Sequence, residues 1–243
     1  MQSVEVRKAI NALDVASQAA DEIIASLISI LQSKETANIA LTGGTVGILT
    51  LEVLARTEIQ TEVDLSKVHF WWGDERYVAS DSSDRNANQA RTAFLNVASV
   101  NESNIHEFPA TDSGLSVDQA RDQFEQYFLN AFEGKPPVMD LTILGMGPDG
   151  HVASLFPGMA NDSKNVVAVH NSPKPPAERL SLSMDVINAS KKIIFVVSGI
   201  DKSEAVESVH KDPDCELPAA KVSATGQTLW IIDEAAGAAF WSC

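Results

Sequence analysis

The chain has 243 residues, 44% of them hydrophobic, enough for one large α/β domain with a sizeable core spanning 1–243. Eighteen basic against 33 acidic residues give a net charge of −15, which opposes binding to nucleic acid or an anionic membrane. Two cysteines, Cys215 and Cys243, and five scattered histidines make neither a disulfide framework nor a ligand set with metal spacing, so no metal and no cofactor is expected. The N-terminus has no apolar run after its first basic residues, and no window reaches the roughly 18 apolar residues of a membrane span, so a soluble cytoplasmic protein is expected.

Residues 12–32 carry Leu13, Ala16, Ala20, Ile23, Ile24, Leu27, Ile30 and Leu31 near i, i+3, i+4 and i+7, the pattern of an amphipathic helix. Asn38–Leu41 reads as a short strand, followed by Thr42-Gly-Gly-Thr-Val-Gly47 and a helix through Ile48 to Ala55. Strand, glycine turn and helix start together present N–H groups at the positive end of a helix, a candidate anion site or simply a tight turn. It is neither a dinucleotide fingerprint nor a P-loop.

Lys67–Trp72 is the next strand. It runs into Gly73-Asp-Glu-Arg-Tyr77, where three charged residues after a buried strand suggest a cleft or a solvated loop. Asp84 or Asn86 is placed to cap a helix to about Leu95. A short strand is possible near Ile105–Phe108, and Ser116 caps a helix over Val117–Phe132 with Ala120, Phe124, Tyr127 and Phe128 on its apolar face.

The organising stretch is Asp140 to Gly158. A buried strand, Leu141–Leu144, enters a turn containing Gly145, Gly147 and Gly150, and Asp149 and His151 sit one residue apart on it. A short helical stretch, Ala153–Phe156, is expected next, with Ser154 inside it. Beyond it, Asn165–Val169 is a strand, Ser172-Pro-Lys-Pro-Pro176 a rigid turn, and Glu178–Ser183 an alternating, half-buried strand. Lys192–Val197 is an apolar strand, after which Ser198-Gly-Ile-Asp-Lys202 opens a helix. Leu217–Ala220 is a short helix, Thr228–Ile232 the last strand, and Asp233 caps a short terminal helix. Strands alternating with helices predict a mainly parallel sheet covered on both faces.

Five segments in this order resemble the 6-phosphogluconolactonases of the pentose phosphate pathway. They are Thr42-Gly-Gly-Thr45, Trp72-Gly-Asp-Glu-Arg76 with Asp81, Asp84 and Asn86, Gly145 to Gly158, Ser172 to Ser181, and Ser198-Gly-Ile-Asp-Lys202. The resemblance implies a Rossmann-like, single-domain α/β fold, shared with glucosamine-6-phosphate deaminases and ribose-5-phosphate isomerases. Two segments depart from the family pattern. The phosphate turn, commonly Gly-Gly-Ser-Thr-Pro, here ends in Val46 and Gly47, and the serine before Asn86 is Arg85, either an added cation or a solvent-facing side chain.

The implied activity is hydrolysis of 6-phospho-D-glucono-1,5-lactone without a metal. His151 is the natural general base, since a free imidazole titrates near pH 6.5, roughly, and Asp149 or Asp74 is available to orient it. Backbone N–H groups of the glycine turn are candidate oxyanion donors. The phosphate is expected against Gly43, Gly44 and Thr45, with Arg76 and Lys202, and with Arg179 as a further candidate. Lys202 alone reads equally as a surface lysine paired with Asp201. His69, His106, His170 and His210 are left structural or solvent-facing. The expected partner is the small sugar-phosphate lactone, and the expected state a monomer or weak homo-oligomer. Two other readings stay open: a glucosamine-6-phosphate deaminase/isomerase, and a sugar-phosphate-binding protein without turnover.

Overall fold

A computed structural model describes residues 3–57, 59–159 and 164–241. In chain order the elements are β1 (Ser3–Ala9), α1 (Ala12–Ser33), β2 (Ala37–Leu41), α2 (Gly44–Arg56), α3 (Ile59–Glu62), β3 (Val68–Trp72), β4 (Asp74–Arg76), α4 (Asn86–Ala90) and α5 (Val117–Ala131). They continue with β5 (Leu141–Leu144), β6 (Val166–Val169), β7 (Arg179–Leu182), α6 (Met184–Ala189), β8 (Lys192–Val197), α7 (Ser203–Lys211), β9 (Gln227–Asp233) and α8 (Ala238–Trp241).

Six strands form one parallel sheet in the order β1-β9-β8-β5-β2-β3. All four residues of β5 are buried. Successive side chains of a strand point to opposite faces, so this burial requires cover on both. From β2 the sheet grows to β3 on one side and to β5 on the other. The boundary between β2 and β5 is therefore the point where strand order reverses, and ligands of open α/β sheets bind at the carboxyl ends there.

A smaller antiparallel sheet, β4-β7-β6, packs into the same core. Gly73 is the pivot between the two. Its N–H donates to Leu41 O at 2.8 Å in the large sheet, and its carbonyl accepts from Leu182 N–H at 2.8 Å in the small one. Among the described residues, no helix is long and apolar enough to cross a membrane.

Several expectations need correction. The polar-looking β1 was not anticipated as a strand. It is an edge strand, largely unburied, defined by its ladder to β9 rather than by an apolar pattern of its own. Asp74–Arg76 is a strand, not a loop. β7 is buried at every position rather than half-buried, because it lies between β4 and β6. The Ala153–Phe156 helix is absent: Val152 and Leu155 close a tight turn on each other, and Ala153 takes a left-handed φ of 49°. The helix to Leu95 is α-helical only to Ala90 and then passes into a π-turn over Arg91–Leu95.

Neither Asp84 nor Asn86 caps α4 with its side chain. Glu75 does so from β4, accepting from Asn86 N–H at 2.7 Å and Ala87 N–H at 2.9 Å. This long-range cap fixes β4 against α4, and a cap of this kind contributes about 1 kcal/mol. Burial pushes the Glu75 carboxyl up to about 7, against the opposing pull of Arg85 and the three backbone N–H donors.

Candidate active site

The segments that follow five of the six parallel strands, β4 among them, converge on one cavity of about 620 Å³. Residues after β1 (Ala12), β2 (Thr42 to Gly47), β3 (Asp74, Arg76), β5 (Gly145 to Pro148, His151) and β8 (Ser198, Asp201, Lys202) line it. The small sheet contributes Arg179, and the turn before it contributes Lys174 and Pro175. The size suits a small organic ligand.

α2 begins at Gly44, and Gly43 at its N-cap makes no side-chain capping bond. The first N–H groups of this 13-residue helix therefore open toward the cavity. Gly43 is glycine for want of space: a Cβ there would come within 1.9 Å of Asn86 Oδ1. Asn86 is held in place by its Nδ2 donating to Asp74 O at 2.9 Å. Gly47, part of the departure from the family pattern in this turn, has a similar reason, since a Cβ would stand 2.7 Å from Thr42 Cγ2 and 2.9 Å from Thr42 O. The helix thus starts close against the end of β2, and the turn offers backbone donors in place of a hydroxyl.

His151 Nδ1 is hydrogen-bonded to Asp149 Oδ1. Asp74 is placed differently: its Oδ2 accepts from the Ser154 hydroxyl at 2.6 Å, and it is only 6% exposed. Of the two aspartates considered for orienting the imidazole, Asp149 makes the contact, and Asp74 acts on His151 only through space. Burial lowers the His151 pKa and outweighs Asp149, which raises it; Lys174 lowers it further. The opposite pull of His151 holds Asp149 below the usual carboxylate range in spite of burial, which alone would raise it. The pair is therefore a neutral imidazole backed by a carboxylate at neutral pH. Nε2 makes no hydrogen bond among the described residues, which suits a base awaiting a proton.

Four cations line the cavity. Arg76 Nη1 donates to Asp84 O at 2.7 Å, while its buried Nε has no partner among the described residues. Lys202 Nζ lies 3.2 Å from Asp201, so it is both a cavity residue and the partner of its neighbour. Arg179 is 5% exposed and spends Nε and Nη2 on the carbonyls of Pro176, Lys174 and Pro175, at 3.0 to 3.3 Å. Lys174 is exposed on the turn that Arg179 holds. Arg85 belongs to none of these: it is buried, donates to Phe108 O at 2.7 Å and lies 3.6 Å from Glu107, so it is neither a site cation nor a solvent-facing side chain.

Two of the glycine-turn N–H groups are already engaged. Gly147 N–H donates to His151 O at 3.0 Å and Gly150 N–H to Gly147 O at 2.9 Å, so both are committed to the turn itself. Three residues have no site role of their own in the sequence: Ser154, expected inside a helix; Lys174, inside a proline-rich turn; and Asn86, expected as a motif residue or a helix cap. Only the side-chain directions reveal the first and third. The second had a signal, a lysine inside one of the matched segments.

The family model for glucosamine-6-phosphate isomerases/6-phosphogluconolactonase matches residues 11–230. The 6-phosphogluconolactonase of Mycobacterium leprae is 41% identical over 229 residues, covering 90% of this chain and 92% of its own. That of Streptomyces coelicolor is 34% identical over 232 residues, covering 91% and 89%. Among solved structures, the 6-phosphogluconolactonase of Thermotoga maritima superposes with a TM-score of 0.83 at 25% identity, covering 95% of this chain and all of the other. That of Trypanosoma brucei reaches 0.85 at 22% identity over 98% of this chain, a likeness of fold. With the matched region spanning nearly the whole chain, the protein belongs to the glucosamine-6-phosphate isomerase/6-phosphogluconolactonase family.

Proposed function

We propose that the protein is a 6-phosphogluconolactonase, an esterase that hydrolyses 6-phospho-D-glucono-1,5-lactone to 6-phosphogluconate in the pentose phosphate pathway. The observation that carries this reading is the Asp149–His151 pair at the wall of a cation-lined cavity, with imidazole Nε2 uncommitted among the described residues. A δ-lactone needs a water made nucleophilic, charge stabilisation at the carbonyl oxygen, and a grip on the phosphate. Neutral His151 takes the proton of water as it attacks C1. Asp149 holds the ring by Nδ1 and stabilises the imidazolium that forms. When the ring C–O bond breaks, the imidazolium returns its proton to the leaving hydroxyl.

The phosphate lies against the Gly43-Gly44-Thr45 turn with Arg76 and Lys202, where helix N–H groups and charge-assisted bonds act together. Arg179 holds the turn with Nε and Nη2 and, as a cavity residue, adds a further cation to the phosphate's surroundings. The substrate is a small sugar-phosphate lactone, and a cytoplasmic, monomeric or weakly associating protein forms part of the reading. The deaminase alternative is not favoured: the loop carries Asp74-Glu75-Arg76 where those enzymes typically show Asp-Glu-Tyr. The test offers freshly made lactone and glucosamine 6-phosphate in parallel. Acid release from the lactone above its spontaneous opening, without ammonia from the amino sugar, is expected. Ammonia release would overturn the assignment, and so would lactone opening no faster than background.

A further inference from the structure

Hydrolysis of a lactone places negative charge on the C1 oxygen twice, first as the tetrahedral oxyanion and then as the product carboxylate. Two backbone donors of the glycine turn beside His151, Gly147 and Gly150, close their own turn. Of the four cavity cations, Arg76 donates to a carbonyl, Lys202 is paired with Asp201, and Arg179 donates to three carbonyls. Lys174 is different. Among the described residues its ammonium has no ion pair and donates no hydrogen bond, yet it lines the cavity. It stands close enough to Asp149 and His151 to perturb both electrostatically.

We infer that Lys174 is the cation that receives the charge developing on the C1 oxygen, and that Arg179 is the residue that positions it. The inference rests on the lactonase reading and adds a residue to it. The construction of the turn supports it. Ser172 N–H bonds Ala177 O at 2.9 Å, Lys174 N–H reaches Ser172 Oγ at 3.3 Å, and Arg179 gathers three consecutive carbonyls beneath. Arg179 in turn sits opposite Arg76 in the β4–β7 ladder. An exposed lysine is thereby mounted on a braced loop at the mouth of the site, its charge directed by the loop rather than by a carboxylate. The C1 oxygen gains an electron pair as water adds, the ammonium holds that charge without transferring a proton, and the pair returns to the carbonyl as the ring C–O bond breaks. The acid formed then ionises, releasing its proton to solvent, and its carboxylate lies where the oxyanion lay.

The test is Lys174→Met, which keeps most of the side-chain length and removes the charge, beside Lys174→Arg and the wild type. Wild-type turnover is measured first: its absence would sink the lactonase reading itself, whereas its presence leaves the Lys174 arms to decide this inference alone. Lys174→Met is expected to lower kcat about a hundredfold, as losing one oxyanion donor does, on both phosphorylated and unphosphorylated gluconolactone. Lys174→Arg should recover part of the loss. Inhibition by 6-phosphogluconate should weaken about tenfold, while inhibition by glucitol 6-phosphate, which has the phosphate and no carboxylate, should not change. The acid limb of kcat/KM should move to higher pH, because a cation that disfavours the imidazolium of His151 has been removed. Equal weakening of both inhibitors would make Lys174 a phosphate ligand, and near-normal kcat with an unmoved acid limb would make it a solvent lysine. Either result overturns the inference.

Discussion

Two histidines of this protein, one half-buried and one buried, both have burial-lowered pKa values and differ in every other respect that matters for chemistry. His151 sits on the glycine turn at the carboxyl edge of the sheet, and His106 lies beside edge strand β3. In both, burial lowers the pKa, in His106 to about 4 with a further push from His69. His106 has both ring nitrogens engaged, Nε2 with His69 Nδ1 at 2.9 Å and Nδ1 with the Tyr127 hydroxyl. Its ring stacks on Trp71 with centroids 3.9 Å apart. His151 has one nitrogen on a carboxylate and the other without a hydrogen bond among the described residues, beside a cavity. A lowered pKa does not identify a base. A neutral ring with one nitrogen backed by an anion and the other facing open space does.

The comparison breaks first on substitution. His151→Ala should cut turnover of the phosphorylated lactone by roughly 10²–10⁴, the usual worth of a positioned base, while the product 6-phosphogluconate still binds. Near-normal turnover in the folded variant would reduce His151 to a second His106. Lys202→Ala sharpens the picture of the cavity around it. It should lower kcat/KM for the phosphorylated lactone by roughly ten- to a hundredfold, and hardly alter the slow hydrolysis of unphosphorylated gluconolactone. If both substrates suffered equally, Lys202 would belong to the fold or to the chemistry at C1.

The smallest effect on activity is expected at His106. His106→Phe keeps an aromatic ring against Trp71 and should leave kcat/KM within about threefold of the wild type. Its consequence lies in stability. The folded state resists protonating His106 until about pH 4, whereas the unfolded chain takes the proton near 6.5. Between those values the unfolded state binds more protons, so stability falls as pH falls through that window. Thermal melts at pH 7.5 and pH 5 should show a smaller acid loss of Tm in the variant. An unchanged loss would remove His106 from the account of acid sensitivity.

Much of the fold was legible because its central strands announce themselves. Leu141–Leu144 and Lys192–Val197 are apolar runs bounded by turn residues, and the structure gives both the expected limits. The edge strand β1 has no such signal, because half of it faces solvent and its partner lies some 220 residues away in sequence, Ser3 against Gln227. At the site, the residues were legible and their partners were not. Asp149 and Asp74 are equivalent in the sequence. Only the backward turn of the glycine loop puts the first on His151, and only the sharp turn at Ala153 brings Ser154 to the second. Arg179 and Arg85 illustrate the same limit. Both are arginines in or next to matched segments, and carbonyl oxygens from distant or neighbouring loops decide what their donors do.

The central claim is that His151 works as a neutral base at neutral pH, and the pH dependence of wild-type kcat/KM on the phosphorylated lactone tests it most directly. Spontaneous opening must be subtracted at each pH. Full activity at pH 7, with a single acid limb whose apparent pKa lies below the free imidazole value of about 6.5, is the predicted result. Activity that rises as pH falls below 7, or an acid limb above 7, would contradict it, because the imidazole would then act in its protonated form or be absent from the rate-determining proton transfer.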